Sequence, residues 1–227
     1  MSKVGVLIEG ALQGYLVDKA SFDAGVTDIS MLKDPEVAKR FDTDGDGKAD
    51  LVGCTPGWGC ERVIEHHLTE YGLRDTVTHN QGAYQAIIGD AIARHANGEP
   101  IVYYTWTPYW VSGVLVPGKD VEWLSVPYTS LPEGGEGLNT TVDGKNVGFA
   151  VENVGVLARN DFLEANPAAA KLFAVATLDI NDISAENALI ANGENTEEAI
   201  DKHATDWIAA HQAEYDGWLA EARKAAN

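Results

Sequence analysis

Ile101-Val-Tyr-Tyr-Thr105-Trp106-Thr-Pro108-Tyr109-Trp110 is the stretch on which the fold turns. Its first five residues are β-branched or aromatic, the composition of a strand packed on both faces. Pro108 lacks an N–H and its ring disfavours continuation, so the strand stops at Trp106. In an open α/β sheet the carboxyl ends of the strands are where ligands sit. Trp106 is therefore a candidate contact group, and Trp110, inside a helical turn at 109–114, the better candidate for packing.

The passage upstream with matching chemistry is Cys54-Thr-Pro-Gly-Trp58-Gly59-Cys60. It is a short loop that two cysteines can close, with an indole at its tip and a helix expected over 61–71. Main-chain N–H groups at a helix start, here those of Gly59 and Cys60, form a natural seat for an anion. The face of Trp58 attracts a cation. Together they suit a small zwitterion, carboxylate at one end and alkylated ammonium at the other. These are the only two cysteines of the chain. A disulfide is their leading reading and implies an oxidising compartment. Reduced thiols are the alternative. A catalytic Cys60, its pKa lowered by the helix start, is a weaker one.

Before the cysteines lies Asp42-Thr-Asp44-Gly-Asp46-Gly47-Lys48-Ala-Asp50. Side-chain oxygens at the first, third, fifth and ninth positions, with the Lys48 carbonyl at the seventh, have the spacing of a calcium loop. Gly53 stands where an EF-hand has its bidentate Glu, so a structural turn is expected rather than a switch. The alternative is a polar Asx-turn loop without metal.

Around these motifs the chain alternates. Strands are expected at 4–8, 15–17, 76–78 and 121–126, and helices at 36–41 and 83–96. A Gly- and Pro-rich loop fills 127–146, and an extended passage follows at 147–157. The composition then turns Ala-rich, with helices expected at 161–176 (broken at Asn166-Pro167), 184–191 and 196–222. The last carries Ile200, Ala204, Trp207, Ile208, His211, Tyr215, Trp218 and Leu219 on one face, a stripe that needs cover. Trp207 and Trp218 read as core anchors. The expected organisation is a complete α/β lobe at 12–146, with 1–11 and 147–227 forming the remainder of another lobe, mostly helical.

The 227 residues are 45% hydrophobic, enough for a large core. Thirty-five acidic residues against sixteen basic give a net charge of −19, which disfavours nucleic acid and anionic membranes. No apolar run approaches the roughly 20 residues of a membrane span. The segment 4–8 is too short for a signal peptide, so the chain is expected to carry no address label. His66 and His67 are neighbours on a helix and point about 100° apart, so they cannot share a metal. His66 is expected at the surface and His67 packed.

Phe41-Asp-Thr-Asp-Gly-Asp-Gly-Lys-Ala-Asp50, Gly57-Trp-Gly-Cys-Glu61, Thr76-Val-Thr-His-Asn-Gln-Gly82, the Tyr103–Trp110 segment and Asn166-Pro-Ala-Ala-Ala-Lys-Leu-Phe173 resemble the periplasmic glycine betaine-binding proteins of ProU-type ABC importers. The resemblance runs from about Val4 to the C-terminus. It implies a two-lobed, periplasmic-binding-protein-like type II α/β fold whose cleft holds a trimethylammonium among tryptophans. Carried over by motif, Trp58 and Trp106 would be box aromatics, the N–H groups of Gly59 and Cys60 carboxylate donors, and Cys54–Cys60 a disulfide. The ligand would be glycine betaine, proline betaine or choline, and the partners the importer's membrane subunits. The chain would be periplasmic or extracytoplasmic, not an enzyme, and would require no cofactor. Calcium at Asp42, Asp44, Asp46, Lys48 and Asp50 comes from spacing alone. The family has a further N-terminal portion, supplying a third tryptophan and a histidine, that does not match here. An incomplete second lobe is thus expected, with weaker binding and a homodimer or partner chain over the helical stripe. A remnant that binds little is the runner-up. An enzyme built on Cys60, His66 or His79 and a calcium-dependent structural module are the readings from other classes.

Overall fold

A computed structural model describes residues 1–226, so the last position of the expected range 147–227 lies outside the described residues. In chain order the elements are β1 (Ser2–Ala11), β2 (Gln13–Asp18), α1 (Lys19–Asp23), α2 (Pro35–Ala38), β3 (Ala49–Val52), α3 (Gly59–Glu70), β4 (Val77–Asn80), α4 (Tyr84–Ala96), β5 (Val102–Trp106), α5 (Val111–Val114), β6 (Val121–Trp123), the two-residue strands β7 (Thr141–Val142) and β8 (Lys145–Asn146), β9 (Glu152–Ala158), α6 (Asn160–Ala165), α7 (Pro167–Val175), α8 (Ile180–Ala191), α9 (Glu197–Ala210) and α10 (Gln212–Ala225). They form two units. One comprises Leu12–Trp106 and Val114–Val151; the other comprises Met1–Ala11, Thr107–Gly113 and the chain from Glu152 onward.

The first unit is built on a mixed five-stranded sheet in the order β4-β3-β5-β2-β6. β3 runs parallel to β4 and β5, while β2 runs antiparallel to β5 and β6. Leu16, Val17, Leu51 and Tyr103 are fully buried, as β-branched and aromatic strands flanked on both sides require. Asp18 closes β2 and is buried. One carboxylate oxygen accepts from the Ser21 N–H and caps α1, and the other accepts from the Ile101 N–H, so the burial costs no unmet acceptor. Helix α3 ends where Gly72 takes φ +67°, the left-handed turn that terminates a helix without a Cβ clash.

Strand β3 corrects the sequence reading, which places Asp50 at the end of the acidic loop and expects no strand at 49–52. Four residues are too few to show alternation, and with strands on both sides β3 has no polar face to display.

The second unit pairs β1 with β9, antiparallel, with register shifts between Val4 and Ile8 and again between Ile8 and Ala11. Gly5 sits at the first irregularity with φ +66°. A Cβ there would stand 2.2 Å from the Phe173 carbonyl oxygen, so glycine lets α7 lie against the strand. Pro167 at the first position of α7 breaks the helical run after α6.

The single helix expected over 196–222 is two, α9 and α10, separated at His211. The imidazole of His211 stacks on Trp207 with ring centroids 4.2 Å apart, and its Nδ1 lies 2.9 Å from the Trp207 carbonyl oxygen. A side chain in contact with that carbonyl competes with the helical ladder. Trp207 also donates its indole N–H to Asp182. Trp207 and Trp218 stack on each other yet stay half-exposed, and α6 to α9 contain no fully buried residue. Among the described residues no helix is long and apolar enough to cross a membrane.

Candidate functional site

The site grows from one edge of the five-stranded sheet. β3, β4 and β5 are parallel, so their carboxyl ends emerge together. β3 leads into the cysteine loop, β4 into the turn before α4, and β5 ends on Trp106.

Cys54 and Cys60 form a disulfide, with Cα atoms 6.4 Å apart and both residues buried. Helix α3 begins two residues earlier than the sequence suggested, so Gly59 and Cys60 are its first two positions and Trp58 its N-cap. An indole has no acceptor for the first-turn amides, and no side chain caps this helix. Its positive end is therefore presented to solvent at exposed Gly59.

Trp58 is 42% exposed. Its ring centroid lies 5.8 Å from that of Trp106 at an interplanar angle of 69°, so the two indoles meet edge to face. Beneath them is Tyr84, fully buried, stacked on Trp58 at 6.5 Å and tilted against Trp106 at 4.7 Å. Its hydroxyl donates to the Tyr104 carbonyl, and its main-chain N–H donates to the Thr55 hydroxyl oxygen in the cysteine loop. Tyr104 in turn donates its hydroxyl to Gln13. Two indole surfaces on a buried tyrosine, beside an uncapped helix start, offer π faces to a cation and N–H groups to an anion.

Sequence reasoning brought Trp58, Gly59, Cys60 and Trp106 forward and missed Tyr84. Its only local signal is its place at the start of α4. That it lies under Trp58 follows from the sheet order, which no local pattern contains.

The histidines are held in packing roles. His67 is fully buried, with the Tyr15 hydroxyl 3.0 Å from Nδ1 and the Ser130 carbonyl oxygen 2.8 Å from Nε2. A neutral ring satisfies both, accepting from Tyr15 and donating to Ser130. Burial pushes its pKa down to about 4. His66 pairs with the Ser130 hydroxyl at the half-buried surface. His79 contacts Glu65 through Nδ1 at 2.7 Å, and Glu65 also pairs with Arg74. Cys60 is consumed in the disulfide, so Cys60, His66 and His79 are not arranged as a nucleophile and its base.

In the acidic loop, Asp42, Asp44 and Asp50 each offer a carboxylate oxygen within 4.8 Å of one another, and Asp46 is not part of that trio. Asp42 accepts from the N–H groups of Asp44, Gly45 and Gly47. The donors at Gly45 and Gly47 hold its carboxyl below the usual range. Asp50, buried at the second position of β3, accepts from the Thr43 N–H and hydroxyl and from the Asn80 amide. The donor set is all oxygen, which suits a hard cation, but fewer carboxylates converge than the spacing suggested.

The family described as the substrate binding domain of ABC-type glycine betaine transport systems matches residues 1–210. The chain is 54% identical over 224 residues to the glycine betaine-binding periplasmic protein OusX of Dickeya dadantii, covering 98% of this chain and 68% of that one. It is 53% identical over 220 residues to the glycine betaine/proline betaine-binding periplasmic protein of Escherichia coli, covering 96% and 66%. Among solved structures it resembles lactococcal OpuAC complexed with glycine betaine (TM-score 0.62, 24% identity, 96% of this chain and 70% of that). It also resembles an ABC-transporter choline binding protein in complex with choline (TM-score 0.61, 17% identity, 96% and 66%). These neighbours share the mixed α/β architecture of type II periplasmic binding proteins, and the chain spans about two thirds of the length of its relatives. The chain therefore belongs to the family of substrate-binding domains of ABC-type glycine betaine transport systems, whose members bind solute and are not enzymes.

Proposed function

We propose that this chain captures glycine betaine, or a related quaternary ammonium such as proline betaine or choline, for an ABC importer. The observation that carries the reading is the exposed Trp58 ring set against Trp106 at the uncapped start of α3. A quaternary ammonium has no N–H to donate, so π faces, not carboxylate hydrogen bonds, are the groups suited to hold it. A carboxylate on the same ligand reaches the N–H groups of Gly59 and Cys60. In this reading the ligand-bearing lobe is 12–146 without Thr107–Gly113 and continued to Val151, and Met1–Ala11, Thr107–Gly113 and the chain from Glu152 belong to the other lobe. Choline lacks the carboxylate, so it uses the rings without the seat and binds more weakly than glycine betaine. Calorimetry with both ligands tests this; absence of heat with both, or tighter binding of choline than of glycine betaine, on folded protein, overturns it.

The relatives' names and the Cys54–Cys60 disulfide support a periplasmic site of action, where thiols are oxidised. The partners are then the importer's membrane subunits. The half-exposed Trp207 and Trp218 and the 40% exposed Ile200 support a covering chain, either a second copy or another polypeptide. For the acidic loop, the calcium reading rests on Asp42, Asp44 and Asp50, with Asp46 and the Lys48 carbonyl as the remaining groups of the spacing. Calcium raising the melting temperature of the wild type but not of Asp44→Asn supports it; no shift in the wild type sinks it.

A further inference from the structure

The Cys54–Cys60 loop has a third fastening besides the disulfide and the Tyr84–Thr55 hydrogen bond. Glu61, the third residue of α3, reaches back so that its Oε2 accepts from the Gly57 N–H at 2.5 Å. Gly57 holds φ +87°, a left-handed conformation that suits glycine, and it immediately precedes Trp58. The Trp58 N–H is engaged separately by the Thr55 carbonyl.

In a capping box the glutamate at this helical position accepts from the N-cap N–H while the N-cap side chain accepts from a first-turn amide. Here only half of that arrangement exists, displaced by one residue. The N-cap is a tryptophan that accepts nothing, and the glutamate takes the amide before it. The loop is thereby closed from behind, while the amides at Gly59 and Cys60 keep no side-chain cap. A serine or aspartate at the N-cap would tie the same turn by occupying one of those amides.

We infer that Glu61 is a positioning residue. It fixes Gly57, and through it the direction of the Trp58 ring, without filling the anion seat. The consequence for affinity rests on the quaternary ammonium reading; the consequence for Trp58 does not.

The experiment compares Glu61→Ala and Glu61→Gln, alone and with Trp58→Phe, so that subtraction isolates the Trp58 signal. Acrylamide quenching of that signal is measured without ligand, and glycine betaine binding is measured by calorimetry. Glu61→Gln retains an oxygen acceptor and is expected to keep wild-type quenching and an affinity within about threefold. Glu61→Ala is expected to increase Trp58 quenching and to weaken binding about tenfold, the loss of one charge-assisted hydrogen bond. If Glu61→Ala does not fold, Glu61→Asp, one methylene too short, takes its place. Unchanged Trp58 quenching in the alanine or aspartate variant overturns the inference, as does a glutamine variant as impaired as they are. If the wild type binds no betaine, the functional reading fails, and the quenching comparison still decides the role of Glu61.

Discussion

The imidazole of His79 occupies the space that a side chain on Gly53 would need: its Nε2 is 1.8 Å, and its Cδ2 2.0 Å, from where a Cβ on Gly53 would stand. Gly53 links β3 to the cysteine loop, and its N–H donates to the Asn80 carbonyl. The His79 side chain is 3% exposed and anchored by Nδ1 to Glu65, so it cannot swing aside cheaply. Glycine is required here by close packing, not by backbone angle.

Gly53→Ala is accordingly expected to destabilise the protein by about 2–3 kcal/mol, an overpacking cost. Gly53→Ala with His79→Ala is expected to be less destabilised than the sum of the two single variants by at least about 1 kcal/mol. Urea denaturation of the four proteins measures this cycle, and simple additivity would refute the packing account.

The disulfide closes a loop with a sequence separation of 6. A loop that short restricts the unfolded chain modestly, so Cys54→Ser with Cys60→Ser is expected to lower stability by about 2 kcal/mol in the chain-entropy model. Ligand affinity is expected to fall as well, because Cys60 is the second residue of α3. Unchanged affinity in the double variant would mean that the other contacts hold the loop unaided.

His67 sets an acid limit. Its folded-state pKa of about 4 lies below the ordinary 6.5, so between these values the unfolded chain binds more protons than the folded one. Stability from this group is complete above pH 6.5, falls as the pH drops toward 4, and is gone below. The loss amounts to about 3 kcal/mol. Urea midpoints from pH 7.5 to 4 measure it. In His67→Gln the midpoint is expected to be lower at pH 7 and its slope over this range flatter. An unaltered slope would assign the acid sensitivity to other groups.

Trp58 and Trp106 are expected to separate binding from stability. Trp58 is exposed, so Trp58→Ala should cost about tenfold or more in glycine betaine affinity with little change in melting temperature. Trp106 is half-buried against Tyr84 and Tyr104, so Trp106→Ala should lower both. Thermal melts beside calorimetry distinguish the two, and a large fall in melting temperature for Trp58→Ala would contradict the assignment.

Much of the site was legible because its signals are local. A cysteine pair six positions apart, Pro and Gly between them, and a helix start just beyond are properties of consecutive residues. The same holds for β5, whose Val-Tyr-Tyr-Thr run needs no partner to be recognised as a strand. The Asp42 loop shows where locality fails. Its spacing suggested four converging side chains; Asp42, Asp44 and Asp50 do converge, with Asp50 held from its strand by Thr43 and Asn80, while Asp46 lies outside the cluster.

By itself, the sequence determined the composition of the strands, the cysteine loop with Trp58 at its tip, and the motifs that tie the chain to its family. Only the tertiary structure decided that Tyr84 underlies both indoles, that His79 forces glycine at 53, and that His211 divides the last helix. The reason is range. Hydrogen bonding within a turn and alternation along a strand are written in neighbouring residues. The order of β4, β3 and β5 instead brings Thr55, Tyr84 and Trp106 together from positions far apart in the chain. That order is set by which buried faces pack best, a property of the whole sheet.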